Sequence, residues 1–298
     1  MSLDELPDER VLGMTWKPTG DVFYFVLQFH KVPSEVLTKG RSPTKREIAS
    51  IIPSIFDIFG FLAHFTIQAK ILKQEVWRMG GEWDDPIPDS LRSSWDAWLD
   101  DLHKIELLEI PRCYFQDLED ETKVELHTFT DDSQQAKAVV IYARFVQREL
   151  ITIRFINGRS WGTPLKPVSI PRLELQAALL GSRLATFVQE NHNLKFSRVQ
   201  FWTDSSTVLC WLRSDARKFP TFIANRVGEI EETTNATQWR WVPTKQNPAD
   251  DGTRNNAPAD LTTNCRWLTG PEFLRRHDSE WPCDLQLKKN PPSTEDLE

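Results

Sequence analysis

The sequence predicts an α/β (α+β) protein in which a mixed five-stranded sheet with flanking helices follows a mainly helical region. Three observations predict it. Val124 to Thr130, Ala138 to Phe145 and Leu150 to Ile156 are successive β-branched or aromatic runs separated by polar turns, the pattern of three sequential antiparallel strands. Ile170 opens a segment in which Leu173, Ala177, Leu180 and Leu184 form one apolar stripe, and Val199-Gln-Phe-Trp-Thr203 then reads as a strand, so helix and strand alternate. Before about residue 105 the texture is helical, and the change between residues 105 and 123 reads as a domain boundary.

In chain order, Ser42-Pro-Thr-Lys-Arg-Glu47 supplies a helix start, with Thr44 and Glu47 spaced as a capping box. That helix is interrupted, because Pro53 cannot sit in a helix interior without a kink and Gly60 allows a turn; Ile67, Ile71, Leu72 and Val76 then recur at helical spacing. An amphipathic helix over Ser90 to Leu108 places Leu91, Trp95, Trp98 and Leu102 on one face. Beyond the strand ending at Thr203 come a helix from Ser205, another over Phe222 to Ile230, a strand over Gln238 to Val242 and a helix beginning at Asn247-Pro248. The order is β-β-β-α-β-α-α-β-α. The expected division is 1–120, mainly helical; 121–258, the sheet domain; and 259–298, a linker whose end from Pro282, rich in Pro, Lys and acidic residues, is expected to be disordered.

With 40% apolar and 27% charged residues in 298, the composition is that of a folded chain. No apolar run approaches the roughly 18 residues needed to span a bilayer. The opening MSLDELPDER is acidic where a secretory signal would be basic and then apolar, so an intracellular, cytoplasmic location without a membrane partner is expected. Cys113, Cys210, Cys265 and Cys283 form no Cys-x-x-Cys pair, which argues against a zinc knuckle or a disulfide framework. A net charge of −7 argues against a protein that coats nucleic acid non-specifically. It leaves a nuclease open, since a site that gathers carboxylates around a divalent metal is itself acidic.

Four segments end a strand or begin a helix with an acid: Phe129-Thr-Asp131-Asp132-Ser133, Arg172-Leu-Glu174-Leu, Trp202-Thr-Asp204-Ser-Ser206 and Asn247-Pro-Ala-Asp250-Asp251. Singly each is ordinary: Asp204 reads as a capping turn, Glu174 as a favourable charge near a helix N-terminus, Asp250 as a first-turn acid. Their order on alternating strands and helices is what points to chemistry. Phosphodiester hydrolysis needs the phosphate charge neutralised and a water made nucleophilic, and two divalent ions about 3.5–4 Å apart can do both. Hard cations such as Mg²⁺ take oxygen ligands, and converging carboxylates supply them.

The stretches LHTFTDDS, IPRLELQAALLGSRL, VQFWTDSSTVLCWL, FIANRVGEI and WRWVPTKQNPADDGTR, within residues 124 to 254, resemble the RNase H-like domain of BEL/Pao retrotransposon polyproteins. The resemblance implies an RNase H-like fold in which Asp131, Glu174, Asp204 and Asp250 are the catalytic, metal-binding acids, with Asp132 and Asp251 nearer to bystanders. It implies two Mg²⁺ or Mn²⁺ ions as cofactor, the RNA strand of an RNA/DNA hybrid as substrate, and a retroelement particle as a further location. Upstream, VLGMTW resembles the end of a reverse transcriptase and KREIASIIPSIFDIFGFLAHFTIQAKILKQEVW its connecting segment. Downstream, WLTGPEFLRRHDSEWP resembles the stretch leading toward an integrase, so the polymerase and integrase segments are implied partners.

The chain also departs from that family, which usually carries Asp-Ala-Ser and then Ala-Tyr-Gly where this sequence has Asp131-Asp132-Ser133 and Ala136-Lys137-Ala138. Pro243-Thr-Lys-Gln246 offers no histidine before the last acid, and no Tyr-x-Asp-Asp polymerase motif is present. Two readings stay open: a metal-dependent endoribonuclease, and a catalytically inactive remnant or host-adopted module that binds nucleic acid or protein. The family's peptidase label (Peptidase A17) is a third, minor one. An aspartic peptidase needs an Asp-Thr/Ser-Gly turn, and Asp204-Ser-Ser206 lacks the glycine.

A hybrid would be held through its backbone and minor-groove shape rather than base sequence. Ser133, Arg172, Ser205 and Arg226 are the candidate substrate contacts, with Arg159 and Lys166 nearby in sequence; solvated charge is the ordinary alternative for the cations. Among Trp161, Trp202, Trp211, Trp239 and Trp241, Trp202 and Trp211 are expected in the core rather than as stacking platforms. His127 is expected to be a packed strand residue.

Overall fold

A computed structural model describes residues 6–115, 118–166 and 168–285, which fall into two compact units, residues 1–117 with 255–265 and residues 118–254 with 266–298.

The first unit carries a small antiparallel sheet in the order β1 (Glu9–Val11), β2 (Met14–Lys17), β3 (Val22–Tyr24) and β4 (Ile110–Pro111). This sheet adds strands to a region expected to be mainly helical; strands of two to four residues carry no readable periodicity. The β1–β2 turn uses Leu12 (φ 51°) and Gly13 (φ 86°); a Cβ on Gly13 would lie 2.0 Å from the Phe56 ring. The helices are α1 (Ser34–Leu37), α2 (Lys45–Ser54), α3 (Ala63–Arg78) and α4 (Asp89–Leu102). The capping box forms as the sequence implies: Thr44 Oγ1 accepts from Glu47 N at 3.3 Å and Glu47 Oε2 from Thr44 N at 2.8 Å. Helix α2 stops one residue past Pro53, and the Asp57 carboxylate then accepts from the N–H groups of Gly60, Phe61 and Leu62 to start α3. The buried face of α4 holds Leu91, Trp95, Trp98 and Leu102, and Trp98 stacks on Phe65 with ring centroids 5.0 Å apart.

The second unit is built on the five-stranded mixed sheet. Strands β5 (Lys123–Asp132), β6 (Ala136–Gln147), β7 (Leu150–Gly162), β8 (Arg198–Thr203) and β9 (Trp239–Trp241) lie in the order β7-β6-β5-β8-β9. β5, β6 and β7 are antiparallel neighbours, while β8 runs parallel to β5 and β9 parallel to β8. Helices α5 (Ile170–Asn191), α6 (Ser206–Leu212) and α7 (Thr221–Thr233) follow in the expected order. α5 lies close on β5 because Gly181 has no side chain: a Cβ there would stand 2.4 Å from Thr130 Cγ2 and 3.5 Å from Thr128 Cγ2. Strand alternation turns Phe129 to the opposite face, where it stacks with Trp202 at 5.8 Å and meets Phe273 edge-on.

Two expectations are corrected. The helix expected at Asn247-Pro248 is a single 3-10 turn, Pro248–Gly252. Gly252 is wedged against Ala138, Ser160 and Trp267, and the following Thr-Arg-Asn-Asn-Ala-Pro258 offers neither an apolar stripe nor a continuous donor set for a helix. Residues 266–285, expected as linker, instead fold onto the sheet of this unit through α8 (Arg266–Thr269) and the buried side chains Trp267, Phe273, Leu274 and Trp281. Arg144, itself buried in β6, holds this segment by donating to Leu274 O at 2.8 Å and Arg276 O at 3.0 Å. The expected disordered tail lies, from residue 286 onward, outside the described residues. Among the described residues no helix is long and apolar enough to cross a membrane.

Candidate active site

The sheet's connectivity places the first and third acids together. Parallel pairing of β5 with β8 runs from Glu125↔Arg198 to Thr130↔Thr203, so Asp131 and Asp204 stand at the same end of neighbouring strands. Asp131 is 8% exposed, and its Oδ2 accepts from Thr253 Oγ1 at 2.6 Å. Asp204 Oδ2 accepts from Thr244 Oγ1 at 2.6 Å, and its backbone oxygen accepts from the Trp241 indole at 3.1 Å.

Glu174 arrives from the first turns of α5. Its Oε2 accepts from Ser205 Oγ at 2.5 Å, and Ser205 also caps α6 by accepting from Val208 N at 3.1 Å. Asp250 comes from the 3-10 turn, which Asn247 fastens to β5 by donating to Thr130 O at 3.0 Å. Its carboxylate is already engaged: Arg254 Nε donates to Oδ1 at 2.7 Å, Arg254 Nη2 pairs with Oδ2, and Arg266 Nη2 lies 3.6 Å away. Arg266 also binds Asp251 with two bonds of 2.9 and 2.6 Å.

Asp132, expected as a bystander, is turned inward. Both of its carboxylate oxygens are sealed from solvent and, among the described residues, have no hydrogen-bond partner. Burial, and then the charges of Glu174, Asp131 and Asp204, push its pKa up to about 9 against the weak pull of Lys137. The same two causes raise its neighbours. Burial and then the Asp204 charge hold Asp131 well above the usual carboxylate range, although Thr253 donates to it. Glu174 is raised by burial and Asp204 in spite of the Ser205 hydroxyl, and Asp250 by burial in spite of Arg254 and Arg266.

This donor set is all oxygen, and among the described residues no Lys, Arg or His forms an ion pair with Asp131, Asp132, Glu174 or Asp204. Like charges without an ion-pair partner around the buried Asp131, and two orphaned oxygens among them, suit a hard divalent cation in both charge and chemistry. Among the described residues no three Asp, Glu, His or Cys side chains yet stand together as a ready ligand group. Asp131, Glu174 and Asp204 are each held on a separate hydroxyl, those of Thr253, Ser205 and Thr244.

The expected substrate contacts fall into two kinds. Ser133 closes the β5–β6 turn, accepting from Gln135 N and Ala136 N and donating to Thr253 O at 3.1 Å, and Ser205 is occupied with Glu174 and α6. Arg172 and Arg226 stack on the Phe222 ring at 5.4 and 3.5 Å. Arg226 is close enough to Lys137 for the two to repel, and Lys137 Nζ donates to Gln176 at 2.8 Å. A cationic group therefore stands on the α5–α7 side. Trp202, Trp211 and Trp239 are core residues, and His127 is fully buried. Because its Nδ1 accepts from the Trp202 indole at 3.1 Å, its proton sits on Nε2 and is donated to Glu125 at 3.2 Å.

Sequence reasoning missed Thr244, Thr253, Asn247, Arg254 and Arg266. Thr253 and Arg254 lie three and four residues past Asp250, a spacing at which a turn brings side chains back to an acid; Thr244 and Arg266 carry no local signal. A family model described as Pao retrotransposon-like RNaseH-like domain matches residues 44–205, more than half of the chain, including Asp131, Asp132, Glu174 and Asp204; no curated protein matches.

Proposed function

The chain belongs to the Pao retrotransposon-like RNaseH-like family, and from that premise we propose that its acidic site hydrolyses the RNA strand of RNA/DNA hybrids with two Mg²⁺ or Mn²⁺ ions. The observation that carries this reading is the group of carboxylates that repel one another around the buried Asp131, with Asp204 at the adjacent strand end and, among the described residues, no ion pair to Asp131, Asp132, Glu174 or Asp204. Asp131 and Asp204 form its floor, Glu174 closes it from α5, and Asp250 approaches from the turn fixed by Asn247. Bound divalent ions supply charge neutralisation at the phosphate and a water acidic enough to attack it near neutral pH.

The chain's own groups do the rest. The hydroxyls of Thr253, Ser205 and Thr244 fix the carboxylates' orientation until an ion takes over their oxygens. Lys137, Arg172 and Arg226 meet the phosphates of the hybrid on the α5–α7 side, a sequence-independent contact. The test is cleavage of a hybrid labelled on the RNA strand, with Mg²⁺ or Mn²⁺, by the native chain and by Asp204→Asn. Metal-dependent cutting of the RNA strand by the native chain alone is the expected result; equal cutting by both refutes the assignment.

One observation favours a second reading. Arg254 and Arg266 pair with Asp250, which suits a module that binds a hybrid without cutting it. Metal-dependent hybrid binding with no cleavage under any divalent ion selects that reading.

A further inference from the structure

Asp131, Glu174 and Asp204 each have a hydroxyl donor, from Thr253, Ser205 and Thr244, and Asp250 has Arg254. Asp132 has none: both oxygens are closed off from solvent and unbonded. A buried carboxyl without a donor is either held protonated or in want of a contact that the metal-free protein does not supply, and two such oxygens on one side chain call for an explanation.

Its direction says what that is. Thr128 and Thr130 pack against Gly181 of α5, and alternation along β5 turns Asp132 to that same side, toward Glu174, while Asp131 faces the side of Thr253 and Asp250. The two consecutive acids thus reach around the strand end in opposite directions. Lys137, whose charge acts on Asp132, spends its bond on Gln176. Asp250, by contrast, has its charge countered by two arginines, Arg254 bonding its Oδ1.

We propose that Asp132 is a fifth metal-binding carboxylate, its two free oxygens and Glu174 holding a divalent cation on the α5 side of the strand end. This rests on the two-metal reading above and adds a ligand to it. It also divides the labour. Asp132 and Glu174 would hold an ion on the α5 side and Asp131 and Asp204 one on the other, while Asp250 is paired with Arg254.

The test is a calorimetric Mn²⁺ titration of the full chain, native, Asp132→Asn and Asp204→Asn, with melting in chelator as the control for folding. The native chain is expected to bind Mn²⁺, and Asp132→Asn to weaken the affinity by about tenfold or more, or to remove one of two sites, while remaining folded. Asp132→Ser, smaller and uncharged, gives the same reading should the amide disturb packing. Unchanged Mn²⁺ affinity in both variants, beside a native chain that binds, overturns the role of Asp132 and leaves the nuclease reading standing. A native chain that binds no Mn²⁺ overturns the nuclease reading and the Asp132 assignment with it.

Discussion

Replacing Asp132 by Asn tests the site's electrostatics through stability alone, without metal or substrate. In an unfolded chain an aspartate titrates near about 3.9, whereas in the folded protein burial and the charges of Glu174, Asp131 and Asp204 hold Asp132 up to about 9. Between those values the folded state keeps a proton that the unfolded state has lost. The contribution is therefore fully present below about pH 4 and is lost progressively as pH rises toward about 9. At about pH 7 the interval is roughly three units, which at about 1.36 kcal/mol per unit sets a ceiling of about 4 kcal/mol on the destabilisation. Water entering beside the carboxylate in the metal-free site reduces this to an expected ~1–2 kcal/mol. The amide carries no charge, so in chelator at pH 8 Asp132→Asn should melt higher than the native chain by roughly 2–8 °C, and at pH 4 the two should melt alike. Differential scanning calorimetry at the two pH values measures it. An equal shift at both, or a lower melting point for the variant at pH 8, refutes the account of a buried, unpaired carboxylate.

Two further outcomes follow from contacts in the same unit. Arg254→Ala removes the cation bonded most closely to Asp250, so Mn²⁺ should bind several-fold more tightly than to the native chain; unchanged or weaker binding in the titration shows that Arg254 does not compete for that carboxylate. Gly181→Ala places a methyl 2.4 Å from Thr130 Cγ2 and must push α5 off β5, costing about 1–3 kcal/mol of stability in a denaturant melt and lowering cleavage as Glu174 moves with its helix. Full stability in that variant would mean that α5 does not rest on the strand through this glycine.

Much of the architecture was legible because it is encoded locally. The β-branched runs beginning at Val124, Ala138 and Leu150 became β5, β6 and β7, and the apolar stripe from Leu173 became α5, since a period of two or of 3.6 residues records which face is buried. Thr44 and Glu47 announced the start of α2 because a capping box is satisfied within four residues. The short strands at Glu9–Val11 and Val22–Tyr24 carry no such signature, and the turn at Pro248–Gly252 looked like a helix start because Asn247-Pro248 serves both equally well.

The acids themselves were legible as a set, but their roles were not. Asp131 and Asp132 are adjacent and chemically identical in the sequence; what separates them is that Thr253 reaches one from a turn more than a hundred positions later, while the other faces α5 and finds no donor. Asp250 looks in sequence like an acid free to hold a metal, and only the folded chain brings Arg266 to it from the segment that packs back onto the sheet. The sequence by itself determined the order β5-β6-β7-α5-β8-α6-α7-β9 and the positions of the carboxylates along it, because those depend on residue periodicity and near neighbours. The tertiary structure alone decided which carboxylates are paired, which are orphaned and how far each is pushed toward its protonated form. Desolvation and Coulomb interaction are sums over everything packed around a group, and that packing is contributed by residues far away in the chain.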